Sequence, residues 1–151
     1  MRKVETNRRL SRPVHVILLT LFILYSLIMI KLLFIRDSSY RWPVYNYNLV
    51  PFHTIKSLIY HRHAYNTDAW VKNLFGNIVL FIPLGVCLPL LSRSLFHAAR
   101  SLAAIILILF LVESIQLVTR VGSFDVDDII LNTLGAVIGL AFIKLFMFAS
   151  R

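Results

Sequence analysis

The sequence predicts an all-α integral membrane protein, a bundle of four transmembrane helices with an interfacial segment in its long first loop. Three observations carry this prediction. Hydrophobic residues make up 58% of the 151, and the mean hydropathy of +0.76 is too high for a soluble domain of this size. Four apolar runs each reach about the 20 residues needed to cross a bilayer. Polar residues collect at the joints between these runs and do not form a solvent stripe along each helix.

Residues 1–13 form a basic tail, with Arg2, Lys3, Arg8, Arg9 and Arg12 against Glu5, and read as a cytoplasmic anchor. Residues 14–151 are expected to form one transmembrane domain. Its first span covers about 14–35, with Lys31 near enough to the far end to snorkel. No small-residue cleavage site follows, so the segment reads as a retained signal anchor.

The connection from Arg36 to Trp70 is crowded with Tyr and Trp, which suit a headgroup region where ring and polar tip are both satisfied. Within it, residues 48–59 predict a short interfacial helix with Pro51 in the first turn and Phe52, Ile55 and Ile59 on one face. The second span, about 71–91, opens with Asn73 and Asn77 one turn apart on the same face. Pro83, Gly85 and Pro89 predict a kink or local break in it. The third span, about 98–118, carries Glu113 and Gln116 in its last turns, and the fourth covers about 126–148. Gly135 and Gly139 in the fourth give the small-xxx-small spacing of close helix contact. The single cysteine, Cys87, excludes an intramolecular disulfide and reads as packing.

Four spans place both termini on one side. Basic residues close to the span ends favour the cytoplasm for that side. The predicted setting is therefore a plasma membrane, with the long first loop, the opening of the second span and the joint between the last two spans at the outer face. The net charge of +9 comes from Lys and Arg flanking apolar runs, not from a patch with interleaved stacking aromatics. Nucleic acid is accordingly not an expected partner, whereas the lipid bilayer is.

The joint between the third and fourth spans is the most informative stretch. On a helix, Glu113, Gln116 and Arg120 share a narrow stripe, and so do Asp125, Asp128 and Asn132 after the turn at Gly122, with Asp127 pointing elsewhere. Antiparallel packing of the two helices would face these stripes and build one polar site, with Asn73 and Asn77 beside it. Charged groups at membrane depth cost at least about 2.5 kcal/mol each, so they persist only when paired, hydrated or useful. Candidate ligand-binding residues are thus Glu113, Gln116, Arg120, Asp125, Asp128, Asn132, Asn73 and Asn77. Candidates for acid–base chemistry are Glu113, Asp128 and Arg120. Carboxylates and amides suit Mg²⁺ or Ca²⁺, but Asp125 and Asp128 have the spacing of a helix capping pair, and this reading is preferred. His61 and His63 lack further spaced ligands, so no metal and no cofactor are expected.

The motifs NLVPF at 48–52, NLFGNIVLFIPLG at 73–85, ESIQ at 113–116, and Arg120 followed by DVDDIILNTLGAVIG at 125–139 resemble the VanZ-like family of small bacterial membrane proteins. The likeness runs from about Asn48 to Gly139. It implies a bacterial envelope setting, and the family's founding member is associated with low-level resistance to the glycopeptide teicoplanin. It implies no established chemistry. Three functions follow as expectations. The pocket binds a lipid-linked wall precursor or the glycopeptide's peptide target; or it is an intramembrane enzyme modifying an envelope lipid or precursor; or its charges are a folding network serving a structural or partner role.

Overall fold

The computed structural model describes residues 11–35 and 42–149. The basic residues 2–9 of the tail and the opening of the first loop, with Tyr40 and Arg41, lie outside them. Helix α1 is Arg12–Phe34, α3 is Thr67–Val71, α4 is Asn77–Leu91, α5 is Ala98–Thr119 and α6 is Val126–Ala149. A π turn at Lys72–Gly76 joins α3 to α4, making one continuous helical segment, Thr67–Leu91. With α1, α5 and α6, this gives four helices among the described residues long and apolar enough to cross a membrane. The expected all-α membrane bundle is what the chain forms.

Its centre is the α4–α6 pair. Gly85 lies against the backbone of Ala136, Gly135 against that of Ile78, and Gly139 against that of Ile82. A Cβ at any of the three would collide with the opposing carbonyl oxygen, so the two helices touch backbone to backbone. Around this pair, Phe81, Leu84, Ile105, Leu109, Ala136 and Met29 form the buried core. Helix α1 adds Phe22, Tyr25 and Leu33 but leaves most of its apolar surface outward. In a bilayer that surface is solvated by lipid chains, which is why so many exposed Leu and Ile carry no penalty.

Pro83 and Pro89 do not break the helix, which is continuous through both. The carbonyl that Pro83 frees lies one residue before Leu80, whose own carbonyl accepts a hydrogen bond from Tyr25 Oη at 2.8 Å. A change of winding falls at the π turn Lys72–Gly76, which contains Asn73 and ends just before Asn77. Its i→i+5 winding changes the angular offset an α-helix would give, and the two asparagines part company: Asn73 is exposed and Asn77 half-buried.

From Trp42 onward the first loop pairs with the joint between the last two spans. A two-residue strand β1, Tyr47–Asn48, pairs in parallel with β2, Phe124–Asp125, in the register Tyr47 to Phe124 and Asn48 to Asp125. The Trp42 N–H donates to Arg120 O at 3.0 Å, and Phe124 N–H to Asn46 O at 3.1 Å. The short helix α2 is His53–Tyr60, starting later than expected, with Pro51 outside it. Leu58 is its buried residue, whereas Phe52 and Ile59 face outward, where an interfacial helix meets the headgroups. At its N-terminus Phe52 takes a left-handed conformation (φ 64°), and its amide reaches a partner on α6.

Candidate functional site

Helix α5 ends at Arg120, whose left-handed backbone (φ 58°) turns the chain back, with Arg120 N–H on Leu117 O and Gly122 N–H on Gln116 O. Four residues after Arg120 the chain enters β2 and then α6. Asp125 caps α6, its Oδ1 accepting the Asp127 N–H at 2.8 Å. In a capping box the return bond to the Asp125 N–H would come from Asp128. Here it comes from another helix: Glu113 Oε2, on α5, accepts that N–H at 3.1 Å.

Asp125 has further work. Its Oδ1 also accepts from Asn48 Nδ2 at 3.1 Å, and its Oδ2 accepts from Thr54 Oγ1 at 2.7 Å. Asp127, wholly buried, accepts the Phe52 N–H on Oδ1 at 2.5 Å and the Ile55 N–H on Oδ2 at 3.0 Å. It therefore caps α2 from across the bundle, placing a negative charge at the positive end of that helix. Asp128 Oδ1 accepts from Asn77 Nδ2 at 2.7 Å, joining α6 to α4. One helical turn deeper, Asn132 is 3% exposed and its Oδ1 has no hydrogen-bond partner.

The resulting cluster holds four carboxylates and, among the described residues, no paired cation. The one ion pair among the described residues is Lys72 with Asp68, elsewhere and exposed. Arg120 does not pair with Glu113 or Asp128 as the shared stripe suggests; its guanidinium lies 4.6 Å over the Tyr45 ring. The helical period does not reach Arg120, because the helix has already ended there. Gln116 also leaves the stripe, donating from Nε2 to Leu33 O of α1 at 3.0 Å.

A profile of the VanZ/LLP1 family matches residues 18–147, most of the chain. The chain belongs to the VanZ/LLP1 family. Protein VanZ of Enterococcus faecium is 29% identical to it over 87 residues, 54% of this chain and 53% of that protein. The chain thus aligns with about half the length of that relative. No solved structure matches it.

In this VanZ/LLP1 chain the structure places two hydrogen-bonded pairs at this joint, Glu113 with the Asp125 N–H and Asp128 with Asn77, with Asn132 one turn below Asp128. Gln116, Arg120 and Asn73 stand apart from it. Asn48, Thr54 and Asp127 are members that the sequence reading did not select. The Asn48 side chain accepts the Val50 N–H, an Asx turn that a lone Asn ahead of Pro51 could have signalled. Asp127 faces away from the Asp128 stripe, and a carboxylate there, in an otherwise apolar helix, demands polar partners on another element.

Asp125 and Asp127 spend both oxygens on donors that hold the first loop. Glu113 and Asp128 each commit one oxygen, and Asn132 Oδ1 none. The joint is therefore rich in hydrogen-bond acceptors and poor in donors. Such a site takes a group bearing N–H or O–H, an ammonium above all. The Asn77–Asp128 bond itself is worth little stability, since inter-helix polar contacts in membranes average about 0.6 kcal/mol. Asn77→Ala is expected to lower the thermal midpoint in detergent only slightly, as read by circular dichroism.

Proposed function

We propose that this VanZ/LLP1 protein binds a lipid-anchored component of the bacterial envelope at the outer leaflet, through the joint of Glu113, Asp128, Asn77 and Asn132. The basic bias of the span ends supports cytoplasmic termini and an outer position for this joint. The observation that carries the reading is the surplus of acceptors beside a buried amide oxygen with no partner. A buried acceptor left unpaired costs about 1–3 kcal/mol, a cost that a donor-bearing ligand removes on binding. A wall precursor whose peptide stem offers amine and amide N–H groups supplies such donors. Engaging that stem would alter how a glycopeptide reaches it, which connects the site with the teicoplanin resistance associated with the family's founding member.

The enzymatic alternative rested on Glu113, Asp128 and Arg120 acting together, and the stacking of Arg120 on Tyr45 gives no support to that grouping. As a folding network the joint is incomplete, because Asn132 Oδ1 contributes no bond to it.

Asp128→Asn and Glu113→Gln keep the size of each side chain and replace its carboxyl group with an amide. Teicoplanin and vancomycin susceptibility should be measured in cells expressing wild type and each variant at matched membrane levels. Wild type is expected to raise teicoplanin resistance and both variants to lose it. An effect undiminished in both variants would sink the proposal. Mass spectrometry of lipids and wall precursors should show no new species; a new one would show catalysis in place of binding.

A further inference from the structure

Beside the polar joint lies an open groove of about 410 Å³, a volume within the range of small-molecule sites. Its walls are Phe110, Ser114, Leu117 and Val118 of α5, with Tyr47 and Phe124 of the paired strands, and it is almost entirely apolar. Ser114 Oγ, the one hydroxyl on the α5 wall, is turned onto Phe110 O at 2.7 Å. Both walls lead towards one cation. Leu117 and Val118 precede Arg120 by three and two residues, and Tyr47 follows Tyr45, the ring beneath the Arg120 guanidinium, by two. No carboxylate among the described residues pairs with Arg120. An aromatic face leaves the planar edge of a guanidinium free for a bidentate anion.

We infer that this groove holds one hydrocarbon chain of a membrane lipid whose phosphate is bound by Arg120. An apolar groove on a lipid-facing helix is filled by a chain. Charge complementarity at its polar end selects which lipid supplies that chain, since a phosphate satisfies a fork that no carboxylate among the described residues occupies. Phosphatidylglycerol and a polyprenyl phosphate present the same chemistry. The site stands apart from Glu113 and Asp128 and does not depend on their proposed ligand.

The test is native mass spectrometry of the purified, delipidated full chain titrated with phosphatidylglycerol, undecaprenyl phosphate and, as the uncharged control, diacylglycerol. One lipid phosphate is expected to bind about tenfold more tightly than diacylglycerol, the factor one charge-assisted contact supplies. Arg120→Asn tolerates the left-handed backbone and removes the charge. It should erase the preference while leaving chain binding intact. Ser114→Phe fills the groove and should weaken binding of all three lipids, with Leu117→Trp as a second filling variant should the first fail to fold. Preference for one phosphate lipid identifies the source, and equal binding of both means that any lipid phosphate serves. Equal binding of diacylglycerol by wild type, or undiminished binding by a folded filling variant, overturns the inference. Glu113→Gln should change none of these affinities, which separates failure here from failure of the outer-leaflet binding reading.

Discussion

Asp127→Ala releases helix α2 from the bundle. In the native protein this buried carboxylate accepts the amides of Phe52 and Ile55, two of the orphan donors at the α2 N-terminus. Alanine leaves both without an acceptor, and hydrogen bonds to a charged group contribute about 1.5–3 kcal/mol each. The cheapest escape is hydration of those amides by undocking. An eight-residue helix is too short to persist alone, so undocking melts it. Amide hydrogen exchange over residues 52–60 is expected to rise by about a hundredfold or more, the equivalent of about 3 kcal/mol, while the spans stay protected. Asp127→Asn keeps one acceptor and turns an NH₂ group towards the second amide, so its exchange should fall between wild type and alanine. Glu113→Gln retains an acceptor for the Asp125 N–H and should leave α2 closed. Unchanged exchange in the alanine variant would show that α2 is held by Leu58 and its apolar contacts instead.

Gly135→Leu is expected to abolish the assembled bundle. The added Cβ would meet the Ile78 carbonyl, a backbone atom that no rotamer change can move aside. The helices must then separate, and they cannot do so at one point alone, because Gly85 and Gly139 hold the same pair of backbones together. Overpacking of a core costs about 1–3 kcal/mol where side chains can adjust, and more where, as here, the obstacle is backbone. Gel filtration in detergent should show loss of the monodisperse species, and thermal unfolding should lose its cooperative transition. Gly76→Ala is the control. The nearest atom to its new Cβ is Lys72 Cβ at 3.9 Å, ordinary contact, so its stability should stay within about 0.5 kcal/mol of wild type. Equal behaviour of the two variants would refute the close-contact account.

The fold was legible because membrane spans are written in continuous composition. Each helix satisfies its own backbone, so length and hydropathy identify it without knowledge of its neighbours. The pairing surface was legible for a related reason: only small residues allow backbones to touch, and Gly135 with Gly139 marks the place. The Asp125 cap and the polar character of the joint followed from spacing along one helix. Spacing failed where the helix itself changed. The stripe of Glu113, Gln116 and Arg120 ended in a left-handed residue, and the pair Asn73 and Asn77 was divided by a π turn.

By itself, then, the sequence determined four membrane helices, the glycine seam between two of them, and a carboxylate-rich joint at one end. Only the tertiary structure decided which side chains meet there. It brought Asn48 and Thr54 to Asp125 from 77 and 71 residues away, gave Asp127 to α2, and sent Arg120 to Tyr45. The physical reason is that local periodicity fixes only the face a residue occupies. The partner of a buried polar group is fixed by which donors the rest of the chain delivers to that face.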